Sequence, residues 1–196
     1  PQSPLEKAES LEQMRWIESI QPRFVVVAAG ETSHAAQLRK KGIESIYIAP
    51  SEDLLKLALD LGVEFIILEG AESGGHVGVH STMTLAQMCL RLKEKAPELF
   101  GNAKIVIAGG IFNRLTAFMA AMVGADAIQM GTCYLTSREI IETGALSRLY
   151  QKVVLDAEPG STVVTGEGVG LRVRSIKTSR IEEICELERG YSAGKR

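Results

Sequence analysis

His76 follows two glycines in the stretch LEGAESGGHVG, residues 68–78, with Glu69 and Glu72 a few positions ahead of it. An imidazole titrates near neutral pH, so a histidine so placed can take or give a proton in a reaction at pH 7. A loop histidine bonded to backbone is the plainer alternative. Glu69, at the end of an apolar run, could accept from loop amides or join Glu72 as an acid/base pair; Glu72 also reads as a solvated side chain. A turn needs one or two glycines. Gly70, Gly74, Gly75 and Gly78 together suggest that something other than protein approaches this backbone. His80 belongs to the loop exit, and His34 reads as a helix N-terminal residue with no chemistry.

Two further glycine loops end consecutive apolar runs, VIAGGIFN at 106–113 and IQMGTCYL at 128–135. Gly109 and Gly110 can present successive N–H groups beside a helix N-terminus, which makes a cradle for an anion. Gly131 and Thr132 repeat the device with a hydroxyl added. Tight strand-to-helix turns would account for each pair separately. Cys133, next in line, reads as a small buried hydrophobe rather than a nucleophile.

The elements that must position these loops follow one repeating pattern. Leu5, Ala8, Leu11, Met14, Ile17 and Ile20 recur at helical spacing and Pro22 closes that helix. Five strand-helix units then follow. The strands are Phe24–Ala29, Ser45–Ala49, Phe65–Leu68, Lys104–Ala108 and Ala127–Met130. The helices run from about 33 to 41, 52 to 61, 82 to 95, 115 to 123 and 137 to 155. Gly30 ends the first strand. Met83, Met88, Met119, Met122 and Met130 fall on these elements, with core packing as their default. Residues 162–178 read as an extended return segment, and Ile181–Leu187 as a short helix. Arg172 and Arg174 lie one strand-step apart on one face, suited to salt bridges beneath the sheet or to a cluster near an anion. Continuously apolar strands alternating with helices mean a parallel sheet, in which ligands sit at the C-terminal strand ends. A doubly wound open sheet and part of a (β/α)8 barrel both satisfy the pattern.

Composition narrows the class. Of the 196 residues, 45% are hydrophobic, 23% charged and 5% aromatic, and the net charge is -2. That supports one sizeable core and gives no electrostatic footprint for nucleic acid. No apolar run approaches the roughly 18 residues of a membrane span. Cys89, Cys133 and Cys185 lack metal-ligand spacing, so reduced thiols in the cytoplasm and no metal are expected.

In this order and spacing, EGAESGGHVG, VIAGGI with MVGADAIQMGTCYL, and TGEGVGLRVRSIKT resemble the nitronate monooxygenase family, formerly 2-nitropropane dioxygenase, over roughly residues 22–178. That family includes the flavin-dependent enoyl-ACP reductases of fatty-acid and polyketide synthesis. The resemblance implies a TIM barrel binding FMN, with a nitronate, nitroalkane or acyl thioester as substrate and NAD(P)H as reductant in the reductase branch. Gly109, Gly110, Gly131 and Thr132 match positions holding the FMN phosphate, with Ala108 beside them among the cofactor-binding residues. Gly74 and Gly75 match the loop passing close to the flavin, and His76 the catalytic histidine beside the substrate.

A (β/α)8 barrel has eight units in about 250 residues, and five are read here. The expected fold is therefore α/β, an incomplete parallel (β/α)8 TIM-barrel type lacking its N-terminal strands. It is read as one domain, the C-terminal part of an FMN-binding barrel. Residues 1–21 form a leading helix, 22–157 the five β/α units, and 158–196 the return segment and terminal helix. The absent N-terminal barrel segment, or a homo-oligomer, is expected to cover the open edges. A phosphate-binding barrel enzyme without flavin and a non-catalytic synthase domain are the alternative readings.

Overall fold

The computed structural model describes residues 4–27 and 32–193. Helix α1 (Pro4–Ile20) leads into β1 (Phe24–Val27), α2 (Thr32–Lys40), β2 (Glu44–Ala49), α3 (Glu52–Asp60) and β3 (Phe65–Glu69). Then come the two-residue β4 (Gly75–His76), α4 (Thr82–Lys95), β5 (Lys104–Ala108), α5 (Arg114–Met122) and β6 (Ala127–Gln129). The chain closes with α6 (Arg138–Thr143), α7 (Arg148–Leu155), β7 (Thr162–Thr165), β8 (Val173–Ile176) and α8 (Ser179–Ala193). Ala28, Ala29 and Gly30, the expected end of the first strand, and the side chain of His34 lie outside the described residues.

Five strands form one wholly parallel sheet in the order β1-β2-β3-β5-β6. That order decides between the two architectures. A doubly wound sheet reverses its strand order at a switch point, whereas a barrel adds each strand to the same side of the last. Here the order never reverses, so the fold is of the TIM-barrel type. Strands β1 and β6 are its edges, and Val26 on β1 is 56% exposed.

Successive side chains of each strand face opposite sides of the sheet. Tyr47, Ile66, Leu68 and Ile105 join Leu38, Leu55, Leu59 and Leu85 in the core beneath the helices. On the other face Ile67, Val106 and Ala108 cluster with Ile46, Ile48 and Phe65. Both faces are apolar, which is why the strands read as unbroken hydrophobic runs. Cys89 is buried in the helix-side core, and burial pushes its thiol up to about 11. All three cysteines are free.

Several expectations need correction. The terminal helix is not short: α8 runs from Ser179 to Ala193 instead of Ile181 to Leu187. Residues 137–155 form two helices, because Gly144 caps α6 in the left-handed region at φ 65° and Ser147 starts α7 by accepting from the Tyr150 amide. Residues 162–178 are a hairpin, β7 with β8, turned through Gly166 and Gly170. The methionines do not share a core role. Met88 packs against the core, but Met119 is 47% and Met122 71% exposed, and Met83 is exposed as well. Helix α5 buries Ala120 and turns Leu115, Phe118, Met119 and Met122 outward. Among the described residues, no helix is long and apolar enough to cross a membrane.

Candidate functional site

The C-terminal ends of β3, β5 and β6 open into a cavity of about 1180 Å³, closed on its far side by α7 and the β7-β8 hairpin. That volume exceeds the roughly 300–1,000 Å³ of ordinary ligand clefts. Gly74, Gly75, Ala108, Gly109, Gly110, Gly131 and Thr132 all line it. β5 and β6 are neighbours in register Ala108↔Gln129, so the loops that follow them lie side by side. Among the described residues, the backbone N–H groups of Gly109, Gly110, Gly131 and Thr132 reach no protein acceptor. Amides left free beside a cavity are what an anion requires.

The loop after β3 forms the third side. A methyl group added to Gly74 would stand 3.4 Å from Thr132 Oγ1. One added to Gly109, at φ 101°, would stand 2.8 Å from Ser73 Oγ and from Thr82 Oγ1. The glycines therefore let three loops meet where side chains would hold them apart. Ser73 is only 8% exposed, and its Oγ has no hydrogen-bond partner. A buried hydroxyl lining a cavity and left unpaired costs about 1–3 kcal/mol unless something bonds it. A group with phosphate and polar heteroatoms fits such a lining.

His76 is the second residue of β4, whose register is Gly75↔Arg174 and His76↔Val173. His76 is exposed and is not itself among the residues that line the cavity, whereas its neighbours Gly74 and Gly75 are. Glu69, the last residue of β3, is half-buried in the same cavity. Burial raises its pKa; the nearby His76 and the Ser73 hydroxyl pull it back. Ser73 acts on it by proximity, without a hydrogen bond of regular geometry. No loop amide donates to Glu69 among the described residues. Glu69 thus stands within electrostatic reach of His76 and beside the Ser73 hydroxyl.

Glu72 is not a merely solvated side chain. Its Oε2 accepts from the Thr82 amide at 2.8 Å and the Thr82 hydroxyl at 2.9 Å, at the start of α4. A carboxylate there meets free N–H groups and the positive end of the helix. Glu72→Ala is expected to lower stability by about 1 kcal/mol, read as a shifted urea midpoint with an unchanged slope. An unshifted midpoint would show the cap to be idle.

The remaining expectations resolve as follows. His80 closes the loop exit through its carbonyl, which accepts from Ala71 N at 2.8 Å. Cys133 is half-buried and lines the cavity. Arg172 and Arg174 are not beneath the sheet, because β8 pairs with the loop at its mouth. Arg172 pairs with Glu167, while Arg174 lines the cavity. Reasoning from sequence also passed over Ser73, although it stands inside ESGGH, and Gln129 at the end of β6. The signal for Ser73 was a small hydroxyl residue between a carboxylate and two glycines.

Known proteins resemble this chain in sequence and fold. The family model described as nitronate monooxygenase matches residues 5–194. A Staphylococcus saprophyticus protein named "Probable nitronate monooxygenase" is 30% identical over 155 residues, which are 78% of this chain and 42% of the relative. Among solved structures, FabK from Thermotoga maritima is 28% identical at a TM-score of 0.78, over 95% of this chain and 55% of that one. Nitroalkane oxidase from Streptomyces ansochromogenes, at 22% identity and a TM-score of 0.67, shares the fold over 87% of this chain and 50% of its own. The chain spans about half the length of these proteins. With its family model matched from residue 5 to residue 194, the chain belongs to the nitronate monooxygenase family.

Proposed function

We propose that this chain is the FMN-binding, C-terminal part of a flavin-dependent oxidoreductase, acting on nitronates and nitroalkanes. The observation that carries the reading is the set of free amides at Gly109, Gly110, Gly131 and Thr132 beside one large cavity. They would hold the FMN phosphate, with the Thr132 and Ser73 hydroxyls as further donors. FMN, when bound, supplies the electron-transfer chemistry that no side chain can. His76 would take the proton from the α-carbon of a neutral nitroalkane, or hold the anion of one already ionised. Glu69, within electrostatic reach of the histidine, would help hold its ring.

Reduction of an enoyl thioester with NAD(P)H is the other chemistry of the family, and the same histidine would then give a proton to the α-carbon. The two edges of the sheet call for a partner. A further polypeptide segment or a second copy would pair them and complete the wall around the flavin ring. We place the protein in the cytoplasm, where its free cysteines persist.

The test is to titrate FMN into the purified protein, follow flavin absorbance, and assay nitronate with oxygen against an enoyl thioester with NAD(P)H. Saturable binding of one FMN per chain and turnover in the first assay are expected. Binding of inorganic phosphate without FMN would leave a phosphate-binding enzyme that uses no flavin. Binding of neither would leave a structural module.

A further inference from the structure

We infer that Arg174 is a substrate-binding residue, one that grips the paired oxygens of a planar anion such as a nitronate or a carboxylate. Which anion the reaction uses rests on the reading above; that an anion binds here does not. Arg174 sits on β8 directly opposite Gly75 and lines the cavity. Its Nε donates to the Ala71 carbonyl at 2.8 Å and its Nη1 to Thr162 Oγ1 at 2.9 Å. Both acceptors are neutral. They fix the plane of the guanidinium and leave three of its five N–H groups unengaged.

Its charge is not neutralised either. Among the described residues, no carboxylate comes within salt-bridge distance of Arg174, whereas Arg172, two residues earlier, pairs with Glu167. Two carboxylates line the same cavity. Glu72 is occupied at the start of α4, and the charge that acts on Glu69 is that of His76. A half-buried cation oriented by neutral acceptors, with donors to spare, is poised to receive an anion. A two-oxygen planar anion matches the guanidinium fork. The four amides are carried by the ends of β5 and β6, whereas Arg174 is carried by the β7-β8 hairpin and reaches them only across the Gly74-Gly75 loop. The phosphate and the substrate anion would then occupy adjoining seats held by different elements. Arg174 would set the preference for a charged nitronate over a neutral nitroalkane.

A purely structural Arg174 would only tie the hairpin to the glycine loop, and the two roles separate by titration. Sodium butyrate, a carboxylate of nitronate shape, and inorganic phosphate are titrated calorimetrically into the full 196-residue chain, with and without FMN. The proteins compared are the unaltered chain, Arg174→Gln, Arg174→Lys and Thr162→Val. Arg174→Gln should weaken butyrate roughly 10- to 100-fold, as expected for a charge-assisted contact, and leave phosphate binding unchanged. Arg174→Lys and Thr162→Val should each weaken butyrate several-fold, since one loses the fork and the other its orientation. Butyrate affinity unchanged in Arg174→Gln overturns the inference. So does a loss of phosphate rather than butyrate, which would assign Arg174 to the phosphate seat. Should Arg174→Gln fail to fold by far-UV circular dichroism, unchanged affinity in both other variants overturns it, since Thr162 is exposed and its change leaves the core intact. Butyrate binding that depends on Arg174 in a chain taking up no FMN would sink the flavin reading and keep this one. FMN binding with butyrate affinity indifferent to Arg174 would do the reverse.

Discussion

Replacing His76 with alanine is expected to lower turnover by roughly 10²–10⁴, the usual worth of a positioned acid or base, with FMN affinity changed less than about threefold. The two halves of that expectation come from different parts of the structure. The His76 backbone is held by β8 through the register His76↔Val173, and the next residue, Val77, donates to the Arg172 carbonyl at 3.0 Å. None of these contacts uses the imidazole, so its removal leaves the loop in place. The phosphate seat proposed at Gly109, Gly110, Gly131 and Thr132 lines the cavity independently of the ring. What disappears is the proton carrier beside Glu69. The loss should be greater with a neutral nitroalkane, which must give up a carbon-bound proton, than with a nitronate, which has already lost it. His76→Gln, polar but unable to act as a base, should resemble alanine. Turnover within tenfold of the unaltered protein for both substrates would remove His76 from the chemistry, and equal losses for both would leave it only a binding role.

Much of this geometry was legible in the sequence, for a physical reason. Strands covered on both faces read as continuous apolar runs, so Lys104–Ala108 was placed to the residue and β2, β3 and β6 to within one, whereas the short β4 at the mouth was not seen. Positive-φ glycines such as Gly109 and Gly110 are visible because few other residues tolerate that backbone. The glycine loops therefore marked the mouth of the sheet before any coordinates did. Strand order was not legible. Periodicity says that a strand exists and nothing about its neighbour, so it left open sheet and barrel type both standing; the family resemblance pointed to the barrel, and the pairing β1-β2-β3-β5-β6 agrees with it.

The errors fall where a residue's role depends on contacts distant in the chain. Arg174 bonds to Ala71, more than a hundred positions away, so no local pattern placed it at the cavity. Glu72 caps a helix ten residues on, across a loop whose path the sequence does not set. The stripe Leu115, Phe118, Met119 and Met122 has ideal helical spacing for burial, yet the structure leaves it exposed. An apolar stripe records what a helix could cover and not which neighbour lies against it. The break between α6 and α7 is a different kind of miss. Gly144 followed by Ser147 is a helix stop and start that the sequence displayed plainly.

Gly110→Val is expected to reduce FMN affinity by roughly 100-fold or more, from the loss of two charge-assisted contacts at about 1.5–3 kcal/mol each. Gly110 has φ 72°, where a β-branched residue is strained. A Cβ there would already stand 3.4 Å from the Glu72 Cβ, so the two further methyl groups of valine have Glu72 or the cavity to enter. The first disturbs the carboxylate that caps α4, and the second fills the phosphate seat. Either route turns the Gly109 and Gly110 amides away from the anion. Because strain could lower affinity by loosening the fold alone, Gly131→Ala is the companion variant. Gly131 has φ -119°, open to any residue, and an added Cβ would meet nothing within 4 Å. Its stability should stay within about 0.5 kcal/mol of the parent, as for other unstrained changes, while FMN binding weakens because the methyl group takes space that only a ligand uses. Fluorescence titration of FMN beside urea unfolding measures both quantities on the same samples. Full FMN affinity in Gly131→Ala and Gly110→Val alike would mean that the glycine pairs are only turns, and the phosphate seat would have to be sought elsewhere in the cavity.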